Sequence, residues 1–142
     1  MTDFTTVQLE KDPRGFATLW LGRPEKNNAF NALMIRELIA AIPRVQADDA
    51  LRFLLLRGRG KHFSAGADLA WMRESATLDF ETNLTEAHEL AELMYRLYHL
   101  KLPTLAVVQG AAFGGAAGLI ACCVRAIAAV DAQLWLSEVR NG

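Results

Sequence analysis

No charged residue occurs between Lys101 and Arg125, so this stretch is expected to lie in a protein core or in a membrane. It contains three glycines at the spacing of packed membrane helices: Gly110, Gly114 and Gly118. However, Pro103 stands near its start, Gly110 interrupts it, and the part beyond Gly114 is mostly Ala and Gly rather than Leu and Ile. A buried strand, a glycine turn and a helix with a small-residue face explain the stretch better than a membrane span.

Strand-like and helix-like segments alternate along the chain, which predicts an α/β fold with a largely parallel sheet. Helices are expected after the N-cap residue Asn31, over a long segment that ends near Leu100, and over 114–123. An N-terminal hairpin ends with a strand over 16–21. The further strands, of which the first three are apolar enough to be buried, are expected over 51–56, 104–109, 126–130 and 134–136.

Helical spacing of apolar residues predicts which face of two helices packs against the core. In the helix that follows Asn31, this face consists of Leu33, Met34, Leu38, Ile39 and Ile42. In the long helix it consists of Leu84, Ala87, Ala91, Met94 and Tyr98. A chain of 142 residues, 52% of them apolar, can bury roughly two-thirds of its unfolded surface, so we expect a single domain over 1–142.

Charge and cysteine content exclude several classes of protein. The 15 Lys and Arg and 16 Asp and Glu residues give a net charge of −1, which leaves no basic excess for binding a nucleic acid. Cys122 and Cys123 are adjacent and cannot form a disulfide framework, which suits a reducing, cytoplasmic setting. No signal peptide is visible, and the three histidines form no cluster with metal-ligand spacing, so no metal site is expected.

Two glycine-containing turns, over 64–68 and 110–115, each follow a predicted strand and precede a predicted helix. Small residues let a ligand approach the backbone, and a helix N-terminus presents unpaired N–H groups. Two such turns that face each other would form an oxyanion hole with two donors, although each turn alone also fits simple tight packing. Signatures of a dinucleotide site and of a serine hydrolase do not match the spacing of these turns.

Two motifs in the chain resemble those of the crotonase (enoyl-CoA hydratase/isomerase) family. They are His62-Phe-Ser-Ala-Gly-Ala-Asp-Leu69 and Pro103-Thr-Leu-Ala-Val-Val-Gln-Gly-Ala-Ala-Phe-Gly-Gly115. Arg23-Pro24, Asn28-Ala29 and Ser137-Glu138 follow the family's order, so the resemblance extends over nearly the whole chain. It implies a crotonase-like (ClpP/crotonase) spiral of parallel-sheet ββα units. Within the family, the chain is most similar to the methylglutaconyl-CoA hydratase branch, which acts in leucine breakdown.

The resemblance also implies how the chain relates to a complete member of the family. Full-length relatives continue beyond residue 142 into helices that close the site and build a trimer. We therefore expect 1–142 to be an N-terminal fragment that lacks the C-terminal helical part, and a match to a truncated relative is the alternative. The full-length protein is expected to be a homo-oligomer, a trimer or a dimer of trimers.

Site residues follow from the same resemblance. The family's two oxyanion donors fall on the backbone N–H groups of Ala67 and Gly115, which would hold the thioester oxygen of an acyl-CoA substrate. Of the two catalytic glutamates common in the hydratases, only Glu138 is present, because Gly118 stands at the position of the first. The family often has Asp where this chain has Val124.

Coenzyme A is expected as part of the substrate, with no permanently bound cofactor. Its expected contacts are Ala65, Asp68 and Leu69 in the first turn. Lys26 in the preceding loop is a further candidate for a phosphate or ribose contact, and it is equally consistent with an ordinary exposed lysine.

These features together predict a lyase that adds water to a 2-enoyl-CoA thioester, with a methylglutaconyl-type acyl chain as the finer expectation. A Δ3,Δ2-enoyl-CoA isomerase remains an alternative, because moving a proton between two carbons needs only one carboxylate. A non-catalytic acyl-CoA-binding subunit remains a second alternative, because Gly118 leaves the first glutamate position without a side chain.

Overall fold

The computed structural model describes residues 4–135, and the elements below lie within that range. The strands are β1 (Val7–Asp12), β2 (Phe16–Leu21), β3 (Phe53–Gly58), β4 (Thr104–Val108), β5 (Ala111–Phe113), β6 (Arg125–Ala128) and β7 (Gln133–Trp135). The helices are α1 (Ala32–Gln46), α2 (Leu69–Ser75), α3 (Phe80–Tyr98) and α4 (Gly115–Ala121), and a 3₁₀ turn spans Pro24–Lys26. The helix α2 and the strand β5 were not among the predicted elements.

The strands form a five-stranded sheet in the order β1-β2-β3-β4-β6 and a two-stranded sheet of β5 and β7. β1 and β2 are an antiparallel hairpin, and every other pair is parallel. Helices lie in the connections from β2 to β3, β3 to β4 and β4 to β6, as is usual between parallel neighbours. The predicted α/β architecture with a largely parallel sheet is confirmed. The uncharged stretch between Lys101 and Arg125 forms β4, β5 and α4, and none of the described helices is long and apolar enough to cross a membrane.

The core lies between one face of the five-stranded sheet and the helices α1 and α3. Alternate residues of β3, Leu54 and Leu56, are fully buried, as are Leu38 and Ile42 of α1. The side chain of Asn31 accepts a hydrogen bond of 2.9 Å from Met34 N, so the predicted N-cap of α1 is confirmed. The prediction for Leu33 is wrong, because it is 44% exposed. The buried stripe of α1 passes through Met34, Ile35, Leu38 and Ile42, which places Leu33 at its solvent side.

The predicted apolar face of α3 is wrong for four of its five residues, and Met94 is the one that contacts the core. Leu93 and Leu97 are buried and Leu90 and Met94 pack partly against the core, whereas Leu84, Ala87, Ala91 and Tyr98 are exposed. The observed face has the predicted helical spacing but is rotated by about one residue. Burial is confined to the C-terminal half of α3.

The strand expected over 126–130 is present as β6, but the prediction that it is buried is wrong. All four of its residues are exposed, and the adjacent Val124 and Val130 are exposed as well. β6 pairs with β4 on one side and is the last strand of the sheet among residues 4–135. The strand expected over 134–136 corresponds to β7, and Leu136 lies outside the described residues.

Candidate active site

Parallel pairing of β3 and β4 brings the two glycine-containing turns to the same edge of the sheet, because both turns follow the carboxyl ends of these strands. Two isolated parallel β-bridges hold the first turn in place. Ser64 pairs with Ala112 on one side, and Ala67 pairs with Phe30 on the other. Gly66 has a φ of +92°, and a Cβ on it would lie 3.0 Å from the Phe113 oxygen. The two turns are therefore in direct contact, and both this tight spacing and the positive φ favour glycine at position 66.

The hydrogen bonds of the first turn leave one N–H group free. Phe30 N donates to Gly66 O at 2.7 Å, and Asp68 N donates to Phe30 O at 2.8 Å. The buried Ser64 hydroxyl accepts a bond of 3.1 Å from Gly66 N and donates to Asn28 O at 2.8 Å. Ala67 N, by contrast, has no acceptor within residues 4–135. Its direction is opposite to the Gly66 carbonyl, away from Phe30.

The second turn presents a comparable donor. Gly114 has a φ of +57° and is the N-cap of α4, and its N–H donates to Trp135 O at 2.7 Å. Gly115 is the first residue of α4, where backbone N–H groups have no partner inside the helix. No acceptor for Gly115 N occurs in the part of the chain that the structure describes.

A cavity of about 1000 Å³ lies between the two turns. Six of the seven residues predicted for the site line it: Lys26, Ala65, Ala67, Asp68, Leu69 and Gly115. The seventh, Glu138, lies outside the described residues. The two free N–H groups thus belong to residues that line one cavity, which has enough room for a small thioester and part of its carrier.

Within residues 4–135, two cations line this cavity, and only one of them was predicted from the sequence. Lys26 is exposed, as either of its two interpretations requires. Arg73 of α2 is a second cation in the lining, and it was not predicted, because α2 itself was not. The signal for α2 was nevertheless in the sequence, since Asp68 is a good N-cap residue and its carboxylate accepts a bond of 3.1 Å from Trp71 N.

Asp68 lines the cavity, but its carboxylate is already bonded within the protein. Oδ1 caps α2 through Trp71 N, and Oδ2 accepts a bond of 3.0 Å from Arg23 Nη2. Burial raises the pKa of Asp68, but the hydrogen bonds from Trp71 N–H and Arg23 lower it by more, so the net pKa lies below its ordinary value. Its side chain is therefore an ionised structural group, and Arg23 is a partner that the motifs alone did not indicate.

Two further features, in α4 and directly after it, offer no reactive group. Burial raises the pKa of the Cys123 thiol to about 12, and that of Cys122 is raised by burial as well, so neither is a ready thiolate nucleophile. At Gly118, a Cβ would lie 2.6 Å from Met94 Cε. Met94 therefore occupies the space where a side chain at position 118 would begin.

Comparison with known proteins agrees with this geometry. The family model described as enoyl-CoA hydratase/isomerase matches residues 11–142. The crotonyl-CoA hydratase of Syntrophomonas wolfei is 33% identical over 141 residues, which cover 98% of this chain and 52% of that protein. A trans-2-decenoyl-[acyl-carrier-protein] isomerase of Streptococcus mutans is 35% identical over 118 residues, covering 82% of this chain and 44% of that protein.

Solved structures extend the comparison to the fold. The crystal structure of an enoyl-CoA hydratase from Shewanella pealeana aligns with a TM-score of 0.94 at 46% sequence identity. The alignment covers 99% of this chain and 52% of that one. The chain thus spans about half the length of the relatives it matches.

Proposed function

The chain belongs to the enoyl-CoA hydratase/isomerase family and has the crotonase fold, and from this premise we propose that the protein adds water to the double bond of a 2-enoyl-CoA thioester. The observation that carries the proposal is the pair of backbone N–H groups of Ala67 and Gly115. Both residues line one cavity, and neither N–H has an acceptor among residues 4–135. Such a pair suits a reaction in which negative charge develops on a carbonyl oxygen.

The two N–H groups would act on the thioester oxygen. When water attacks the β-carbon of the enoyl group, negative charge moves through the double bond to the thioester oxygen, which gives an enolate. Fixed donors stabilise this charge more than that of the uncharged substrate, so they lower the barrier. Each donor is worth about 3–4 kcal/mol of transition-state stabilisation in comparable oxyanion holes.

Proton transfer is assigned to Glu138. A base must take a proton from the attacking water, and an acid must deliver a proton to the α-carbon. Position 118 is a glycine and supplies no second carboxylate, and Met94 fills the space beside it. A single glutamate can perform both steps if it returns to carbon the proton that it took from water. This requires Glu138 to be ionised in the resting enzyme.

The carrier is assigned to the open side of the cavity. Ala65 and Leu69 offer small and apolar contacts, and Lys26 and Arg73 offer positive charge for the phosphates of coenzyme A. Asp68 also lines the cavity, but its carboxylate is paired with Arg23. This supports a structural role for Asp68 and not a direct contact with coenzyme A.

Finer assignments rest on the resemblance of the motifs. They are a methylglutaconyl-type acyl chain with a place in leucine breakdown, a cytoplasmic location, and assembly of the intact protein as a trimer or a dimer of trimers. The acyl group is tested by comparing a methylglutaconyl thioester with straight-chain 2-enoyl thioesters. The assembly is tested by sedimentation of the intact protein.

Isomerisation of a 3-enoyl thioester to the 2-enoyl form is the second candidate function. It is favoured by the absence of a side chain at Gly118, because a single carboxylate suffices to move a proton from one carbon to another. One relative is named a trans-2-decenoyl-[acyl-carrier-protein] isomerase, which supports this candidate.

The deciding experiment assays both reactions on the intact protein with one acyl series. We expect hydration of 2-enoyl-CoA, and we expect Glu138→Gln to abolish it while thioester binding persists. Isomerisation without hydration would replace the proposal by the second candidate. Binding of thioesters with no turnover of either kind would instead identify a non-catalytic acyl-CoA-binding subunit.

A further inference from the structure

We propose that Arg23 and Asp68 form a positioning pair that keeps the Ala67 N–H directed into the cavity. The inference rests on the proposed function, because it explains how the first oxyanion donor is held. Neither side chain is assigned a contact with the reacting atoms. Their effect on the reaction would pass through the backbone between them.

The direction of the Ala67 N–H depends on the neighbouring segment at Phe30. This N–H shares a planar trans peptide with the Gly66 carbonyl, and that carbonyl accepts a bond of 2.7 Å from Phe30 N. On the other side of Ala67, Asp68 N donates to Phe30 O at 2.8 Å. Any slip between the segments at Phe30 and Ala67 would therefore rotate the donor.

Arg23 bonds to both of these segments. Its Nη1 donates to Ala29 O at 2.6 Å, one residue before Phe30, and its Nη2 donates to Asp68 Oδ2 at 3.0 Å, one residue after Ala67. A guanidinium is a rigid plane, so the two bonds fix the separation of the two segments. The side chains are only 14% and 11% exposed, which limits competition by water.

The backbone of Arg23 is itself held by hydrogen bonds with Asn28. Arg23 N donates to Asn28 Oδ1 at 2.8 Å, and Asn28 N donates to Arg23 O at 2.9 Å. The Asn28 side chain is fully buried and also donates to Arg59 O and His62 O, which both lie in the segment that follows β3. The pair is thus anchored on the sheet, which is the kind of support that a precise donor needs.

The two carboxylate oxygens of Asp68 have separable tasks, and this makes the pair testable. Asp68→Asn retains an oxygen that can cap α2 through Trp71 N, but it removes the charge that Arg23 bonds. Asp79 is a matched control, because it caps α3 in the same way through Thr82 N at the protein surface. Asp79→Asn changes the same chemical group without touching the cavity.

The experiment compares Asp68→Asn, Arg23→Gln, the double variant and Asp79→Asn in the intact protein. Steady-state hydration of 2-enoyl-CoA gives kcat and KM for each. Infrared spectra of bound butyryl-CoA, labelled with 13C at the thioester carbonyl, report how strongly the donors polarise the C=O bond. Near-ultraviolet circular dichroism checks that each variant is folded.

We expect Asp68→Asn to lower kcat by about 10- to 100-fold, the range for a displaced catalytic group, while KM changes by less than about threefold. The carbonyl stretch should shift less on binding than in the wild type. Arg23→Gln should behave similarly, and the double variant should lose little more than either single variant, because the pair acts as one unit. Asp79→Asn should match the wild type in all three measurements.

Two results would overturn the inference. One is a folded Asp68→Asn variant with the kcat and carbonyl shift of the wild type. The other is a loss of activity that merely follows the folded fraction, with an unchanged carbonyl shift in the folded molecules. Gly115→Pro separates this failure from that of the proposed function: if it too retains full turnover, the thioester oxygen is held elsewhere, and the proposed oxyanion site fails with the inference.

Discussion

The terminal methyl group of Met94 lies where a side chain at Gly118 would begin, since a Cβ on Gly118 would be 2.6 Å from Met94 Cε. Met94 belongs to α3 and Gly118 to α4, so the contact joins the two helices. The atom in the way is the flexible end of a long side chain, which can move by rotation about its own bonds. The absence of a side chain at position 118 and the presence of Met94 are therefore complementary.

This contact predicts how position 118 tolerates substitution. Gly118→Ala should change the free energy of unfolding by less than about 1 kcal/mol, because the gain in helix propensity offsets the displacement of Met94. Gly118→Glu should cost about 1–3 kcal/mol through overpacking. Chemical denaturation of the intact protein measures both.

Met94→Ala provides the control for that prediction. It opens the space beside position 118, so Gly118→Glu should be less costly in the Met94→Ala background than in the wild type. If Gly118→Glu lowered the free energy of unfolding equally in the two backgrounds, the glutamate side chain would adopt a conformation that does not contact Met94.

Gly115→Pro tests the second oxyanion donor without adding a charge. Proline is well tolerated at the first position of a helix, which Gly115 occupies in α4, and it lacks an N–H. We expect turnover to fall by roughly two to three orders of magnitude. Steady-state kinetics and a thermal melt of the intact protein measure activity and folding side by side.

Gly115→Ala is the matched control, since it adds a side-chain atom and keeps the N–H. Among residues 4–135, a Cβ at this position would meet only the Phe30 ring, at 3.8 Å, which is ordinary contact. The alanine variant should stay within about threefold of wild-type turnover, far from the loss expected for a missing donor. Similar losses in the two variants would mean that the space at Gly115, and not its N–H, matters.

Local signals in the sequence were sufficient for much of the fold. The N-cap at Asn31, the apolar strands and the glycine turns depend on neighbouring residues, and the structure has α1, β3, β4 and α4 close to the expected places. The rotation of the α3 face and the exposure of β6 were missed for one common reason. Both depend on what packs against an element, and that partner is not encoded in the element's own spacing.

The candidate site divides in the same way. The turns around Ala67 and Gly115 can be recognised in the sequence, because each is a short run of glycine and other small residues between a strand and a helix. The ion pair of Arg23 with Asp68 joins residues 45 positions apart, and a pairing of this kind becomes visible only when the chain is folded. Glu138 remains a prediction, since it lies outside the described residues.

The exposed edge of the sheet predicts self-association of the 142-residue chain in isolation. Ile127 in β6 is 58% exposed, Val124 is 70% exposed, and β6 carries an unpaired edge among residues 4–135. Apolar edge strands of this kind pair with other chains. We expect concentration-dependent oligomers or aggregates in analytical ultracentrifugation.

Ile127→Lys should reduce that association, because a charge on an edge strand opposes pairing. Ala87→Lys, which replaces a neutral residue on the exposed side of α3, controls for the added positive charge. A wild-type chain that sediments as a monodisperse monomer would contradict the prediction, as would equal effects of the two lysine variants.

Acid should destabilise the protein partly through Asp68. Its native pKa lies below the ordinary value, because hydrogen bonds from Trp71 N–H and Arg23 outweigh the opposing effect of burial. A carboxyl whose pKa is lower in the folded state contributes stability above its unfolded pKa of about 3.9, and this contribution is lost as the pH falls through the native value. We therefore expect the free energy of unfolding to fall more steeply below about pH 4 in the wild type than in Asp68→Asn, which has no proton to bind there. Urea denaturation at a series of pH values measures both curves.

Added salt should leave the difference between the two proteins in place, because it screens exposed pairs such as Lys11 with Asp48 far more than the nearly buried Arg23–Asp68 pair. If the free energy of unfolding fell equally steeply with falling pH in both proteins, the charge of the Asp68 carboxylate would make no contribution to stability.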